Sequence, residues 1–92
     1  MTYRVDLDPE ARAYLRRQDK ETRRRIGQQI DEIEADPFGG HSKKLKGGGS
    51  LRSSRVGDFR IIFEVRDEQD DQDRQIIDII RIAPRGQVYR DL

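Results

Sequence analysis

The sequence predicts an α+β fold in the order β-α-α-β-β-β, a mainly antiparallel four-stranded sheet with a helical hairpin packed on one face. Three observations carry this reading. Apolar residues alternate at Tyr3, Val5 and Leu7; they then recur at helical spacing at Ala11, Tyr14 and Leu15 and at Ile26, Ile30 and Ile33; and β-branched runs fill the stretch from Leu51 to Ile82. The apolar fraction is 33% and the charged fraction 40% of 92 residues, so the core must be thin and the chain reads as one small domain, 1–92.

The elements follow in order. Tyr3, Val5 and Leu7 alternate with Arg4 and Asp6, the pattern of a strand with one buried face. Asp8-Pro9 supplies an N-cap acceptor and a residue tolerated at the first helical position, which predicts a helix to about residue 18. A second helix starts near Lys20 and cannot usefully pass Asp36, because Pro37 disfavours the α conformation before it. Gly27 lies inside that helix with no sequence reason. Between Phe38-Gly39-Gly40 and Gly47-Gly48-Gly49 the basic stretch 41–46 lacks helical period and reads as an exposed, mobile surface loop or a ragged strand. From Leu51 the chain turns β-like. Phe59, Ile61, Phe63 and Val65 share one strand face while Arg60, Ile62 and Glu64 take the other, left open. Asp67 to Asp73 reads as a charged hairpin turn, since its spacing misses the pattern of a calcium loop. Ile76 to Ile82, five Ile in seven residues, reads as a central strand. A short tail or helical turn follows Pro84.

Composition removes much chemistry. With no Cys and one His there are no disulfides, thiolate nucleophiles or His-rich metal sites, and no cofactor is expected. No apolar run approaches a membrane span and the N-terminus lacks a signal-peptide layout, so the protein is expected in the cytoplasm. The net charge of +1 hides a segregated field: residues 38–63 carry +5, residues 64–78 carry −5 and residues 79–92 carry +2. Fifteen of the nineteen basic residues are Arg, a bias that suits bidentate contacts to phosphate or carboxylate. Arg23, Arg24 and Arg25 splay around their helix and read as solvated surface; His41, in the loop, reads as exposed.

Several segments match one family. Tyr3-Arg4-Val5, the hairpin ending at Asp36-Pro37, Lys44-Leu45-Lys46-Gly47, the stretch from Arg55-Val56-Gly57-Asp58 to Phe63, and Pro84-Arg85-Gly86-Gln87-Val88-Tyr89-Arg90 together resemble the RelE side of the RelE/ParE toxins of toxin–antitoxin pairs, over essentially the whole chain. The resemblance implies a toxin that enters the ribosomal A site, cuts mRNA there without a metal, and is held inactive in a heteromer with its antitoxin. It also implies that Arg85 and Tyr89, which match the family's basic residue and tyrosine, belong to the site. Arg60, projecting from the strand face opposite Phe59, suits a phosphate clamp; Arg60, Arg85 and Arg55 are assigned to transition-state charge, Tyr89 to proton transfer or base stacking, and Lys44, Lys46 and Arg52 to positioning RNA. Many members carry two basic residues at alternate positions of the strand before the Val-Gly-Asp turn; here those positions are Ser53 and Arg55. Arg52 adjoins Ser53 but falls on the other strand face unless a bulge re-aims it. Two other readings share the fold: a ParE-type inhibitor of DNA gyrase without nuclease chemistry, and a degenerate, non-toxic antitoxin-binding member.

The residue chemistry fits cleavage of RNA. A metal-free route needs a group to take the 2′-hydroxyl proton, cations for the phosphorane and a group to protonate the 5′-oxygen. A phenol serves as base near neutral pH only where nearby cations lower its pKa.

Overall fold

The computed structural model describes residues 3–84, so Arg85 and Tyr89 lie outside the described residues. The element order is β1 (Tyr3–Leu7), α1 (Pro9–Arg16), α2 (Lys20–Ala35), β2 (Ser42–Lys44), β3 (Leu51–Val56), β4 (Phe59–Gln69) and β5 (Gln75–Pro84). The strands form one mixed sheet in the order β1-β5-β4-β3-β2. β1 runs parallel to β5, and every other pair is antiparallel. The α+β architecture expected from sequence is present, with a fifth strand added. The stretch 41–46, expected as a surface loop or ragged strand for want of helical period, contributes Ser42–Lys44 as an edge strand by pairing with Ser54–Arg52.

The helices cover the sheet face expected to be buried. Ile26 and Ile33 of α2 and Ala11 of α1 meet Ile61 and Phe63 of β4 and Ile77, Ile79 and Ile82 of β5 in one buried cluster, with Tyr3, Val5, Leu7 and Phe59 packed around it. A buried aliphatic side chain contributes about 1.5–3 kcal/mol, so this cluster carries most of the fold's stability. Asp19 caps α2, its carboxylate accepting from the Thr22 N–H at 2.8 Å. Asp8 occupies the same position before α1, but against expectation its side chain makes no cap hydrogen bond. Its carboxyl instead meets Asp78 on β5.

Three further expectations are revised. The second sheet face is not bare: Ile62 and Ala83 are buried there, with Leu45 and Leu51 packed against them. The acidic turn is shorter than read, because β4 continues to Gln69 and the reversal occupies residues 70–74. Asp70 organises it. Its nearly buried carboxylate accepts from the N–H groups of Gln72 and Arg74 and from Arg74 Nε at 2.8 Å, with Arg4 at 3.4 Å. Burial works to raise that carboxyl, but the two N–H groups and Arg74 hold it below the usual range. Finally, His41 is half-buried. Its Nε2 donates to the Asp36 carbonyl at 2.8 Å, and the neighbouring Ser54 hydroxyl, itself bonded by Gln29 Nε2, donates to the His41 carbonyl at 2.9 Å. These bonds tie the segment after α2 to β3.

Candidate nucleic-acid interface on the second sheet face

The β3–β4 hairpin sets the geometry. Its loop is Gly57-Asp58, closed by the pair Val56 and Phe59. Gly57 has φ of +57°, which side chains resist, and a Cβ there would come within 2.6 Å of the Arg25 guanidinium. The positive φ is what calls for glycine, since the exposed end of Arg25 can swing aside, and the tight loop places Arg55 directly across from Arg60. Phe59 and Phe63 point toward the helices, so Arg60 projects from the other face, as alternation predicts. Like charges directly opposite on a sheet repel, and an anion placed between them relieves the cost. Arg55 is exposed, with Nε donating to the Gly57 carbonyl at 3.2 Å.

Arg81 joins this face, and the sequence reading missed it. Counting by twos from Ile79 would aim Arg81 at the helices. A bulge prevents this: Ile62 pairs with Arg81 while Phe63 pairs with Ile79, leaving Ile80 as the extra residue. The inserted residue turns Arg81 to the side of Arg60 and keeps Ile82 in the core. No local pattern announces a bulge. Lys43 was missed for a related reason, since only the pairing of β2 aligns it with Ser53 on this face.

The expected RNA-positioning residues divide. The β3–β4 ladder runs without a shift from Leu51 to Val56, so Arg52 does fall on the face opposite Arg60. There its Nε and NH2 groups donate to the Ser42 hydroxyl at 3.2 and 3.0 Å, and its guanidinium lies 5.2 Å from the Phe38 ring centroid. Lys44 is the cross-strand partner of Arg52 and shares that side. Lys46 is exposed in the turn before β3. The structure thus brings Arg55 and Arg60 together and sets Lys44 and Arg52 apart from them.

The far end of the second face is acidic. Glu64 pairs with Asp78, and Asp78 with Asp6. Burial, the hydrogen bond with Asp8 and repulsion by Asp8 and Asp6 raise Asp78 to about 6, against the pull of Arg66, whose guanidinium is 3.6 Å away. A second tyrosine, Tyr14, lines a cleft of about 250 Å³ between α1 and the end of β5. Burial pushes its phenol up despite Arg17, so it stays protonated and is no base. Among the described residues no group of three or more His, Asp or Glu is arranged to hold a metal ion. None of the described helices is long and apolar enough to cross a membrane.

Residues 5–89 match the family model of the ParE toxin of the type II toxin–antitoxin system parDE. Among solved structures, the fold is similar to archaeal RelE in its complex with RelB from Pyrococcus horikoshii, at 30% identity and a TM-score of 0.74, over 95% of this chain and 99% of that one. It is also similar to RelE in the antitoxin–toxin complex from Methanococcus jannaschii, at 22% identity and a TM-score of 0.68, over 94% and 96%. The isolated RelE toxin of E. coli superposes at 19% identity and a TM-score of 0.71, over 95% and 90%. Comparison with curated protein sequences returns no match. The β1-α1-α2 order, the sheet it packs on and these matches across nearly the whole chain make it a toxin of a type II toxin–antitoxin system, a member of the RelE/ParE superfamily.

Proposed function

We propose that the protein is a ribosome-dependent mRNA endonuclease that cleaves in the A site without a metal, and that a cognate antitoxin silences it in the cytoplasm. The observation that carries the reading is the direct pairing of Arg55 with Arg60 on the sheet face away from the helices. Two guanidiniums held across one ladder bring two fixed positive charges, with planar N–H donors, to a phosphate whose charge grows in the transition state. RNA suits such a site because its 2′-hydroxyl is a built-in nucleophile, which DNA lacks. Arg60 and Arg55 would bind the scissile phosphate, with Arg85 adding charge and Tyr89 moving the proton. Of the expected RNA-positioning residues only Lys46, exposed in the turn before β3, is kept at the rim; Lys44 and Arg52 lie on the opposite face and leave the site. The archaeal structures are RelE–RelB complexes, which supports an antitoxin partner here.

The family-model match favours a second reading, inhibition of DNA gyrase without nuclease chemistry. Pure protein added to mRNA-programmed ribosomes, with mapping of product 3′ ends, and to a gyrase supercoiling assay separates the two. Internal cuts in the A-site codon support the first; gyrase inhibition with intact mRNA replaces it by the second.

A further inference from the structure

Lys43 stands apart from the other loop cations. It is the central residue of the three-residue edge strand β2, and its cross-strand partner is Ser53, not Arg52. Ser53 in turn pairs with Ile62, and Ile62 with Arg81. One row across four strands therefore reads Lys43, Ser53, Ile62, Arg81, all on the face that carries Arg55 and Arg60. The middle of that row is closed. Ser53 is only 6% exposed and Ile62 is fully buried, so neither position presents a charge at the surface. Lys43 is exposed, and no carboxylate among the described residues forms an ion pair with it. Cross-strand partners are about 5 Å apart at Cβ and diagonal neighbours about 7–8 Å, so the flexible four-carbon stem can carry its ammonium over Ser53 toward Arg55.

We infer that Lys43 is a phosphate-binding residue of this face, supplying from the edge strand the cation that the Ser53 position lacks. The inference rests on the reading of the face as an RNA site and adds a residue to it. Its ligand is the phosphate next to the one held by Arg55 and Arg60, because Lys43 lies one row along the strands from that pair. Lys44, one residue on, points to the other face and cannot substitute. A different role for an edge lysine is to discourage strand addition by another chain. That role would show as self-association on mutation, with no change in RNA contact.

The test is binding of wild type, Lys43→Gln, Lys43→Arg and the control Lys20→Gln to mRNA-programmed ribosomes between about 50 and 200 mM salt, with cleavage read in parallel. Each lost phosphate contact lowers the salt-induced weakening over that interval by about threefold. Lys43→Gln should show that reduction and cut more slowly, Lys43→Arg should retain wild-type behaviour, and Lys20→Gln, on α2, should match wild type. A Lys43→Gln protein with the wild-type salt dependence overturns the inference, whether or not the protein cuts. A reduced salt dependence in a protein whose wild type leaves mRNA intact upholds the phosphate contact and removes the nuclease reading. Salt-independent binding by wild type overturns both.

Discussion

Asp78 makes the protein less stable at neutral pH than in mild acid, and Asp78→Asn should remove this difference. Its side chain is 17% exposed, with Asp6 across the β1–β5 ladder, Asp8 in hydrogen-bond contact and Arg66 at 3.6 Å. Its folded value is raised to about 6, against about 3.9 for an unfolded Asp. The folded chain therefore holds a proton that the unfolded chain releases between these values. This contribution is fully present below about pH 4 and is lost as pH rises through about 6. A gap of about two units corresponds to about 3 kcal/mol. Asn keeps the shape and cannot ionise. Urea unfolding should therefore find Asp78→Asn more stable than wild type by about 3 kcal/mol near pH 7.5 and by about 1 kcal/mol near pH 4.5, at unchanged m. A variant no more stable than wild type at about pH 7.5, or one whose gain is the same at both values, would refute the burial and carboxyl-pairing argument.

Other positions give independent checks. Gly27 is helical and nothing lies within 4 Å of a Cβ built there, so Gly27→Ala should stabilise by about 1 kcal/mol in the same unfolding assay. Gly57→Ala should destabilise by about 1–2 kcal/mol, since φ is +57° and Arg25 must move, and should slow any cleavage because the loop spaces Arg55 from Arg60. Ile26→Ala, at a fully buried core position, should cost about 2–5 kcal/mol by thermal or urea unfolding. If cleavage occurs, it should persist in EDTA with ribosomes held intact by polyamines, and loss of activity restored by one trace metal would contradict a metal-free route.

The parts of the fold that sequence revealed are those fixed by local period. Tyr3, Val5 and Leu7, the Ile26–Ile33 stripe and the Phe59–Phe63 alternation each bury the face that their spacing marks. What stayed hidden depends on partners distant in the chain. β2 exists because β3 offers it a ladder, and the bulge at Ile80 that redirects Arg81 is a property of the β4–β5 pairing. Asp8 looked like a cap, yet a carboxyl 70 residues away holds it. The same division runs through the candidate face: the projection of Arg60 away from the helices is legible by alternation, whereas the placement of Lys43 and Arg81 on that side emerges only from register. Lys44 and Arg52, close in sequence to the site, fall on the other face. Arg85 and Tyr89 lie outside the described residues, and their roles remain part of the proposal.

The central claim is that the face bearing Arg60 cleaves RNA, and the most direct test compares wild type with Arg60→Ala on mRNA-programmed ribosomes, with 3′-end mapping and a parallel antitoxin-binding assay. Wild type should cut within the A-site codon. Arg60→Ala should fold and bind antitoxin as wild type does, while its cleavage rate falls at least about tenfold, against roughly 10²–10³ for losing one preorganised donor at a reacting centre. A folded Arg60→Ala protein that cuts at the wild-type rate would contradict the account.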